Sequence, residues 1–323
     1  MPVKWGILST AHINRLLIPG VQESPDAEVV AVGSRDPARA QEFATRWGIE
    51  RAYGSYEDVL ADPDVDAVYI PLPNTMHCEW SIRALEAGKH VLCEKPLSSH
   101  PAEVEEAFDV SERSSRVLSE AFMYRHNPQT AMLKELVDGG AIGELRLIRS
   151  AFSYSLHDPL NIRLRPEVEG GSLMDVGCYC VSGARLLAGE PTSVVGQQFT
   201  GPTGTDWVFT GMMRFPGDVL ATFDCGTTLS DREELEVVGR DGSIFLSDPW
   251  HCVKPVIEVR RDGDVERIEL EPVNSYRLEV ENVGAAARGD EPLLLGREDG
   301  VQQARVIEAL FQSAASGSSV SLV

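Results

Sequence analysis

Val3-Lys4-Trp5-Gly6-Ile7-Leu8-Ser9-Thr10-Ala11-His12-Ile13-Asn14 decides the fold, because a short apolar run breaks into small and polar residues before a helical pattern begins. Val3 to Leu8 predicts a strand and Ile13 to Glu23 a helix, giving one βα step. The step recurs. Glu28 to Val32 precedes Ala38 to Trp47, Ala67 to Ile70 precedes Glu79 to Ala87, and His90 to Cys93 precedes Ala102 to Ser114. Val117 to Phe122 reads as a closing strand. Strands alternating with helices predict a parallel sheet covered on both faces. Asp36-Pro37 and Asp62-Pro63-Asp64 supply turns, and Gly88 stands where a helix would end.

Beyond Arg125 the alternation stops. Leu145 to Tyr154, Trp207 to Phe215, Val219 to Cys225, Glu233 to Val238 and Ser243 to Leu246 read as strands with no helix between most of them. Gly171 to Leu187, Tyr276 to Ala287 and Glu298 to Ser316 read as helices. The expectation is an α/β chain: a doubly wound parallel Rossmann sheet over 1–122, then an α+β domain over 123–323 with an open, mainly antiparallel sheet.

Length and charge narrow the function. At 323 residues the chain fits about two domains. Fifty acidic against 29 basic residues give a formal charge of −21, which opposes nucleic acid and anionic membrane as partners. Any phosphate must then be held by a local site. No apolar run approaches the roughly 20 residues of a membrane span, and the first residues read as strand rather than leader, so a cytoplasmic location is expected. The six cysteines form no Cys-x-x-Cys pair and are expected as buried free thiols. The seven histidines show no ligand spacing, and no metal is expected, although ligands distant in sequence can still converge.

At the first strand-to-helix turn, the three positions that carry glycine in a dinucleotide fingerprint fall on Ser9, Ala11 and Asn14. Ser9 and Ala11 are small enough to permit close approach, and Ser9 and Thr10 offer hydroxyls to a phosphate. The stretch also fits an ordinary turn. After the second strand, Gly33-Ser34-Arg35 stands where an acid would accept hydrogen bonds from a ribose 2′-OH. An acid there would repel a 2′-phosphate; Arg35, Ser34 and Arg39 favour one, so NADP(H) is expected over NAD, with a solvated arginine pair as the alternative.

Ile70-Pro71-Leu72-Pro73-Asn74-Thr75-Met76-His77 and Cys93-Glu94-Lys95-Pro96 close the third and fourth predicted strands. Ligands bind outside the carboxyl ends of such strands, which aims Lys95 at a nicotinamide; an exposed loop lysine is the other reading. In Gly170-Gly171-Ser172-Leu173-Met174-Asp175-Val176-Gly177-Cys178-Tyr179, a helix puts Asp175 and Tyr179 on one face. A carboxylate beside a phenol can orient and deprotonate a sugar hydroxyl, and the same pair fits a dipole-stabilised aspartate over a core tyrosine.

Glu94-Lys95-Pro96, Glu120-Ala121-Phe122-Met123-Tyr124-Arg125 and Gly170 to Tyr179, in that order, resemble the Gfo/Idh/MocA oxidoreductase family across nearly the whole chain. Ser9-Thr10-Ala11 and Ser34-Arg35 are similar to the branch holding NADP-dependent D-xylose dehydrogenases and dimeric dihydrodiol dehydrogenases. The resemblance implies a Rossmann domain and a sheet domain whose open face forms a homodimer or a higher homo-oligomer. It implies Lys95 and Tyr179 as the catalytic pair with Asp175 positioning substrate, Tyr179 standing where many members carry histidine. It implies cofactor contacts from Glu94, the loop of Leu72, Pro73, Asn74 and His77, Arg163 and Tyr276, beside those from Ser9, Thr10, Ala11, His12 and Ile13. Met123 replaces the asparagine of other branches, and that contact is not expected.

The activity expected is hydride transfer between NADP(H) and a small polyhydroxy substrate, with aldose 1-dehydrogenation leading. A ketosugar reductase, on a nucleotide-linked sugar for example, and a trans-dihydrodiol dehydrogenase would use the same residues, and Tyr154 and His157 are expected among the substrate contacts. A non-catalytic NADP-binding sensor would be free to lose Lys95 or Tyr179; both are present.

Overall fold

The computed structural model describes residues 1–158 and 160–322. The chain forms two compact units, one of 1–123 with 274–301 and one of 124–273 with 302–323.

The first unit opens with β1 (Val3–Leu8), α1 (Asn14–Glu23), β2 (Ala27–Gly33), α2 (Pro37–Trp47), β3 (Arg51–Tyr53) and α3 (Tyr56–Ala61). It continues with β4 (Ala67–Ile70), α4 (His77–Glu86), β5 (His90–Glu94), α5 (Pro101–Ser114) and β6 (Leu118–Ala121). The sheet order is β3-β2-β1-β4-β5-β6, every pairing parallel. The order reverses between β1 and β4, which is the switch point where a doubly wound sheet opens a crevice for ligand. The alternation predicted from sequence is therefore present, with β3 and α3 added. Arg51-Ala52-Tyr53 is too short to show a period, and α3 starts on Ser55, whose hydroxyl accepts from the Asp58 N–H, a cap visible only once the helix is known.

The second unit holds α6 (Pro128–Asp138), β7 (Leu145–Ser155), a π-wound turn over Leu173–Gly177, α7 (Cys178–Ala188), β8 (Ser193–Thr200), β9 (Asp206–Arg214) and β10 (Leu220–Gly226). Then come β11 (Thr228–Gly239), β12 (Ser243–Leu246), β13 (Val256–Arg261) and β14 (Asp264–Glu269). The chain ends with α8 (Ser275–Arg288), α9 (Arg297–Ser316) and β15 (Val320–Ser321). Nine strands run β14-β13-β12-β11-β7-β10-β9-β8-β15, parallel only between β10 and β7. One face buries Ile148, Phe209, Met213, Phe223, Leu235, Val237 and Ile257. The other exposes Phe199 and Met212 and carries the ion pairs Arg149–Glu236, Arg260–Glu258 and Arg267–Glu258. Sequence reading missed β8, β13, β14, β15 and α6. In β14, Asp-Val-Glu-Arg-Ile-Glu faces solvent on both sides and has no apolar stripe to read.

Sequence divides the chain once, after residue 122; in the structure 274–301 folds with the N-terminal unit. The reason is packing: α8 lies against α1 so closely that a Cβ on Gly20 would sit 2.8 Å from the Arg277 nitrogen. Val280 and Val283 thereby join Trp5, Ile7, Leu17, Ile18, Val21, Tyr69 and Leu92 in one core. All six cysteines are buried and free. No helix of the described residues is long and apolar enough to cross a membrane.

Candidate active site

At the carboxyl end of β1 the chain turns through Ser9, which holds φ +143°, a conformation ordinarily left to glycine. Three bonds hold it there. The Ser9 hydroxyl donates to the Pro71 carbonyl at 3.0 Å and accepts from the Ala11 N–H at 3.2 Å, and the Asn14 amide donates to the Ser9 carbonyl at 2.8 Å. The hydroxyl expected to serve a phosphate is thus engaged in shaping the turn. Helix α1 follows from Ile13 with no side-chain cap among the described residues; the N–H groups of Asn14, Arg15 and Leu16 donate to the Ala11, His12 and Ile13 carbonyls, so what the terminus offers an anion is the positive end of its dipole. Thr10, His12 and Ile13 line this entry.

The end of β2 is electropositive. Ser34 is buried and its hydroxyl accepts from the Asp36 N–H at 3.2 Å, while Arg35 and Arg39 are exposed and bring their charge to the phenol of Tyr56. Burial pushes that phenol up, and the two guanidinium groups pull against it. Asp36 faces away as the cap of α2, accepting from the N–H groups of Ala38 and Arg39.

At the ends of β4 and β5, His77 clamps the two loops together: its ring nitrogens lie 2.8 Å from the Leu72 and Pro96 carbonyls. It is buried beneath the Leu72-Pro73-Asn74 turn, and it fixes the path of the chain on either side of Lys95. The Lys95–Pro96 peptide is cis. Glu94 accepts from the Tyr69 hydroxyl at 2.5 Å and from the Lys95 N–H at 3.3 Å. Tyr276, on α8, is partly buried near Glu94, and burial first and Glu94 second raise its pKa. Tyr69, Glu94 and Tyr276 therefore belong to one polar cluster of the first unit.

In the second unit the helical reading of Gly171 to Leu187 needs one correction: Leu173–Gly177 is π-wound and α7 proper starts at Cys178. Asp206 is the cause that sequence reading missed. Its Oδ2 accepts from the Ser172 hydroxyl and the Leu173 N–H, both at 2.8 Å, and a Cβ on Gly171 would lie 1.9 Å from its Oδ1. A buried carboxylate thus anchors the start of the turn, and Gly171 at φ +136° makes room for it. No local signal marks Asp206, which is far away in sequence.

Asp175, inside this turn, accepts from Tyr154 Oη at 2.5 Å and from Arg163 Nε at 2.8 Å. The structure thereby brings together three residues that the sequence singled out separately, with Arg163 on Asp175. Tyr179 is 6% exposed and set in an aromatic box, its ring 5.7 Å from Tyr124, 5.3 Å from Phe152 and 6.0 Å from Trp250. Trp250 is fixed in turn by donating to the Ala151 carbonyl at 3.0 Å. His157 is exposed just past β7.

Glu233, Asp248 and His251 converge to within 4.8 Å, although their sequence spacing suggests nothing. Both Asp248 oxygens accept N–H groups, from Cys252 and Lys254, and Glu233 Oε1 bonds the His251 ring, while Glu233 Oε2 has no hydrogen-bond partner among the described residues.

The uncapped α1 terminus, the close turn at Ser9 and the arginines at the end of β2 fit a dinucleotide, and with the switch-point sheet they define the class of NAD(P)-binding oxidoreductases. The chain belongs to the Gfo/Idh/MocA oxidoreductase family: residues 3–122 match its oxidoreductase, NAD-binding Rossmann-fold model and residues 130–245 its GFO/IDH/MocA C-terminal domain. A D-xylose 1-dehydrogenase (NADP(+)) from Haloferax volcanii is 39% identical over 98% of this chain and 99% of its own. A human trans-1,2-dihydrobenzene-1,2-diol dehydrogenase is 35% identical over 84% and 82%. Among solved structures, a 3-ketoreductase from Actinomadura kijaniata in complex with NADP and TDP-benzene superposes with TM-score 0.91 at 29% identity, covering 97% and 98%.

Proposed function

We propose that this protein is an NADP-dependent dehydrogenase that oxidises the anomeric carbon of an aldose of the D-xylose type to a lactone. The observation carrying the cofactor choice is the pairing of Arg35 and Arg39 about Tyr56 at the end of β2, where a ribose-binding acid is missing. Full-length similarity to a D-xylose 1-dehydrogenase supports the substrate class.

NADP, when bound, supplies the acceptor for hydride. Ser34, Arg35 and Arg39 would hold its 2′-phosphate, and the dipole at the start of α1 would offset the charge of its pyrophosphate. Asp175, oriented by Tyr154 and Arg163, accepts a hydrogen bond from a sugar hydroxyl and sets the ring's orientation. Tyr179 takes the proton from the anomeric hydroxyl as the carbon–hydrogen bond breaks, and Lys95 is the second residue that the family resemblance assigns to this proton transfer. Burial among Tyr124, Phe152 and Trp250 keeps the Tyr179 ring in one orientation.

Run in reverse, the same acid protonates a ketone, and the likeness to a 3-ketoreductase keeps reduction of a ketosugar as the second reading. Following nicotinamide absorbance separates the two: NADP-dependent oxidation of D-xylose or a close aldose supports the first. Turnover only with NADPH and ketosugars replaces it with the second. Exposed Phe199 and Met212 on the open sheet face support a homodimer, which light scattering tests.

A further inference from the structure

Glu279 of α8 is 1% exposed, and neither of its carboxyl oxygens has a hydrogen-bond partner among the described residues. Glu94 is the charge it feels. Tyr276 lies three residues earlier on the same helix, and Tyr69 of β4 is drawn into the same group. The cation felt there is Arg15 of the exposed side of α1, through Tyr276, and Lys95 follows Glu94 in the chain. Strands β2 and β5 also pack on α8: β2 offers only apolar side chains and the exposed Glu28, and β5 adds His90 at its start and the buried thiol of Cys93 to Glu94.

An unpaired buried carboxylate is costly enough that the group takes up a proton instead. Burial first, and the Glu94 charge second, push Glu279 well above the usual carboxylate range. Glu279 is therefore the member of the two that holds a proton, beside the charge of Glu94. In a doubly wound sheet the nicotinamide nucleotide binds over the half formed by β4, β5 and β6, and Glu94 ends β5. That ring is cationic when oxidised and neutral when reduced.

Resting on the dinucleotide reading above, we propose that Glu279 is a positioning residue for Glu94, and that the two form a charge-coupled carboxyl pair, its proton held on Glu279, that distinguishes oxidised from reduced cofactor. With NADPH the pair keeps its proton. When NADP binds, the positive ring stabilises a second carboxylate, and the proton passes to solvent; no electrons move in this step, and the charge gained by the pair matches the charge of the ring. The preference for oxidised over reduced cofactor thus rises with pH.

Calorimetric titration of the full chain at neutral pH, in two buffers of different ionisation enthalpy, counts protons released on binding NADP and NADPH. Subtracting one from the other cancels the 2′-phosphate, which both carry. The expected difference is a substantial fraction of one proton, and the wild-type ratio of Kd for NADP to Kd for NADPH falls with rising pH, by at most about tenfold per unit. Glu279→Gln abolishes the difference while both cofactors still bind; Glu279→Leu, an apolar replacement suited to that burial, does the same. Lys95 is the rival source, so Lys95→Met is expected to retain the difference. Equal proton counts in the wild type, or a difference undiminished in the Glu279 variants, overturn the proposal while leaving the dinucleotide reading intact. Failure to bind either dinucleotide removes that reading and the proposal together.

Discussion

Tyr154 donates its hydroxyl to Asp175 at 2.5 Å, on the carboxylate oxygen opposite the one held by Arg163. Two contacts from separate segments therefore fix both oxygens of one acid, leaving it little freedom to turn. Hydrogen bonds to a charged group are worth about 1.5–3 kcal/mol. Tyr154→Phe is expected to leave NADP affinity unchanged and to lower kcat/KM for the sugar about tenfold, mostly through KM, as read in steady-state kinetics. An unchanged KM would separate Tyr154 from substrate positioning.

Tyr179→Phe keeps the ring and its packing against Phe152 and Trp250 and removes only the ionisable hydroxyl. Turnover should fall by about 10² to 10⁴ with thermal stability and NADP binding near wild type. A variant as active as the parent would reject the role of this phenol in proton transfer.

Arg35 supplies a charge-assisted contact to a 2′-phosphate on the cofactor reading. Arg35→Ala should weaken NADP binding by about 10- to 100-fold, equivalent to roughly 1.4–2.8 kcal/mol. Binding of NAD, which lacks that phosphate, should change little. Equal losses for both dinucleotides in a fluorescence titration would point to adenine stacking instead.

Asp206 gives the pH dependence a sign. Burial raises its pKa to about 6, against the lowering from the Leu173 and Ser172 donors, so the folded chain holds this proton more tightly than the unfolded chain does. Between about pH 4 and 6 the native state binds more protons, and stability attributable to this group falls as pH rises through that window. A shift of this size corresponds to about 3 kcal/mol. Relative to Asp206→Asn, wild type should lose that order of stability from pH 4 to 6 in denaturant titrations. Parallel curves for the two proteins would show that the carboxyl does not titrate there.

Gly20→Val tests the seam between α1 and α8. A side chain would meet the backbone of Tyr276 and Arg277 at about 3 Å, and overpacking of this kind costs about 1–3 kcal/mol. A lowered melting temperature is expected, with weaker NADP binding because Tyr276 rides on the displaced helix.

Local sequence carried much of this. The βα alternation up to Phe122 follows from apolar periodicity, which reports burial on the faces of a parallel sheet, and Lys95, Asp175 and Tyr179 stand in motifs a few residues long. Elements without an apolar stripe were not legible: β14 is exposed, and β3 is three residues long. The turn-shaping bond of Ser9 was not legible either, because only the tertiary position of the Pro71 carbonyl gives its hydroxyl that partner.

By itself the sequence determined the class of fold, the order of its two sheets and the residue types able to move a proton, since each depends on neighbours along the chain. Tertiary structure alone decided that α8 belongs with the first unit, that Arg163 and Tyr154 meet on Asp175, and that Asp206 anchors the turn before Tyr179. It also decided that Glu279 lies buried without a partner. Those relationships join residues up to hundreds of positions apart, and burial and electrostatics act through space, where spacing along the chain carries no information about distance.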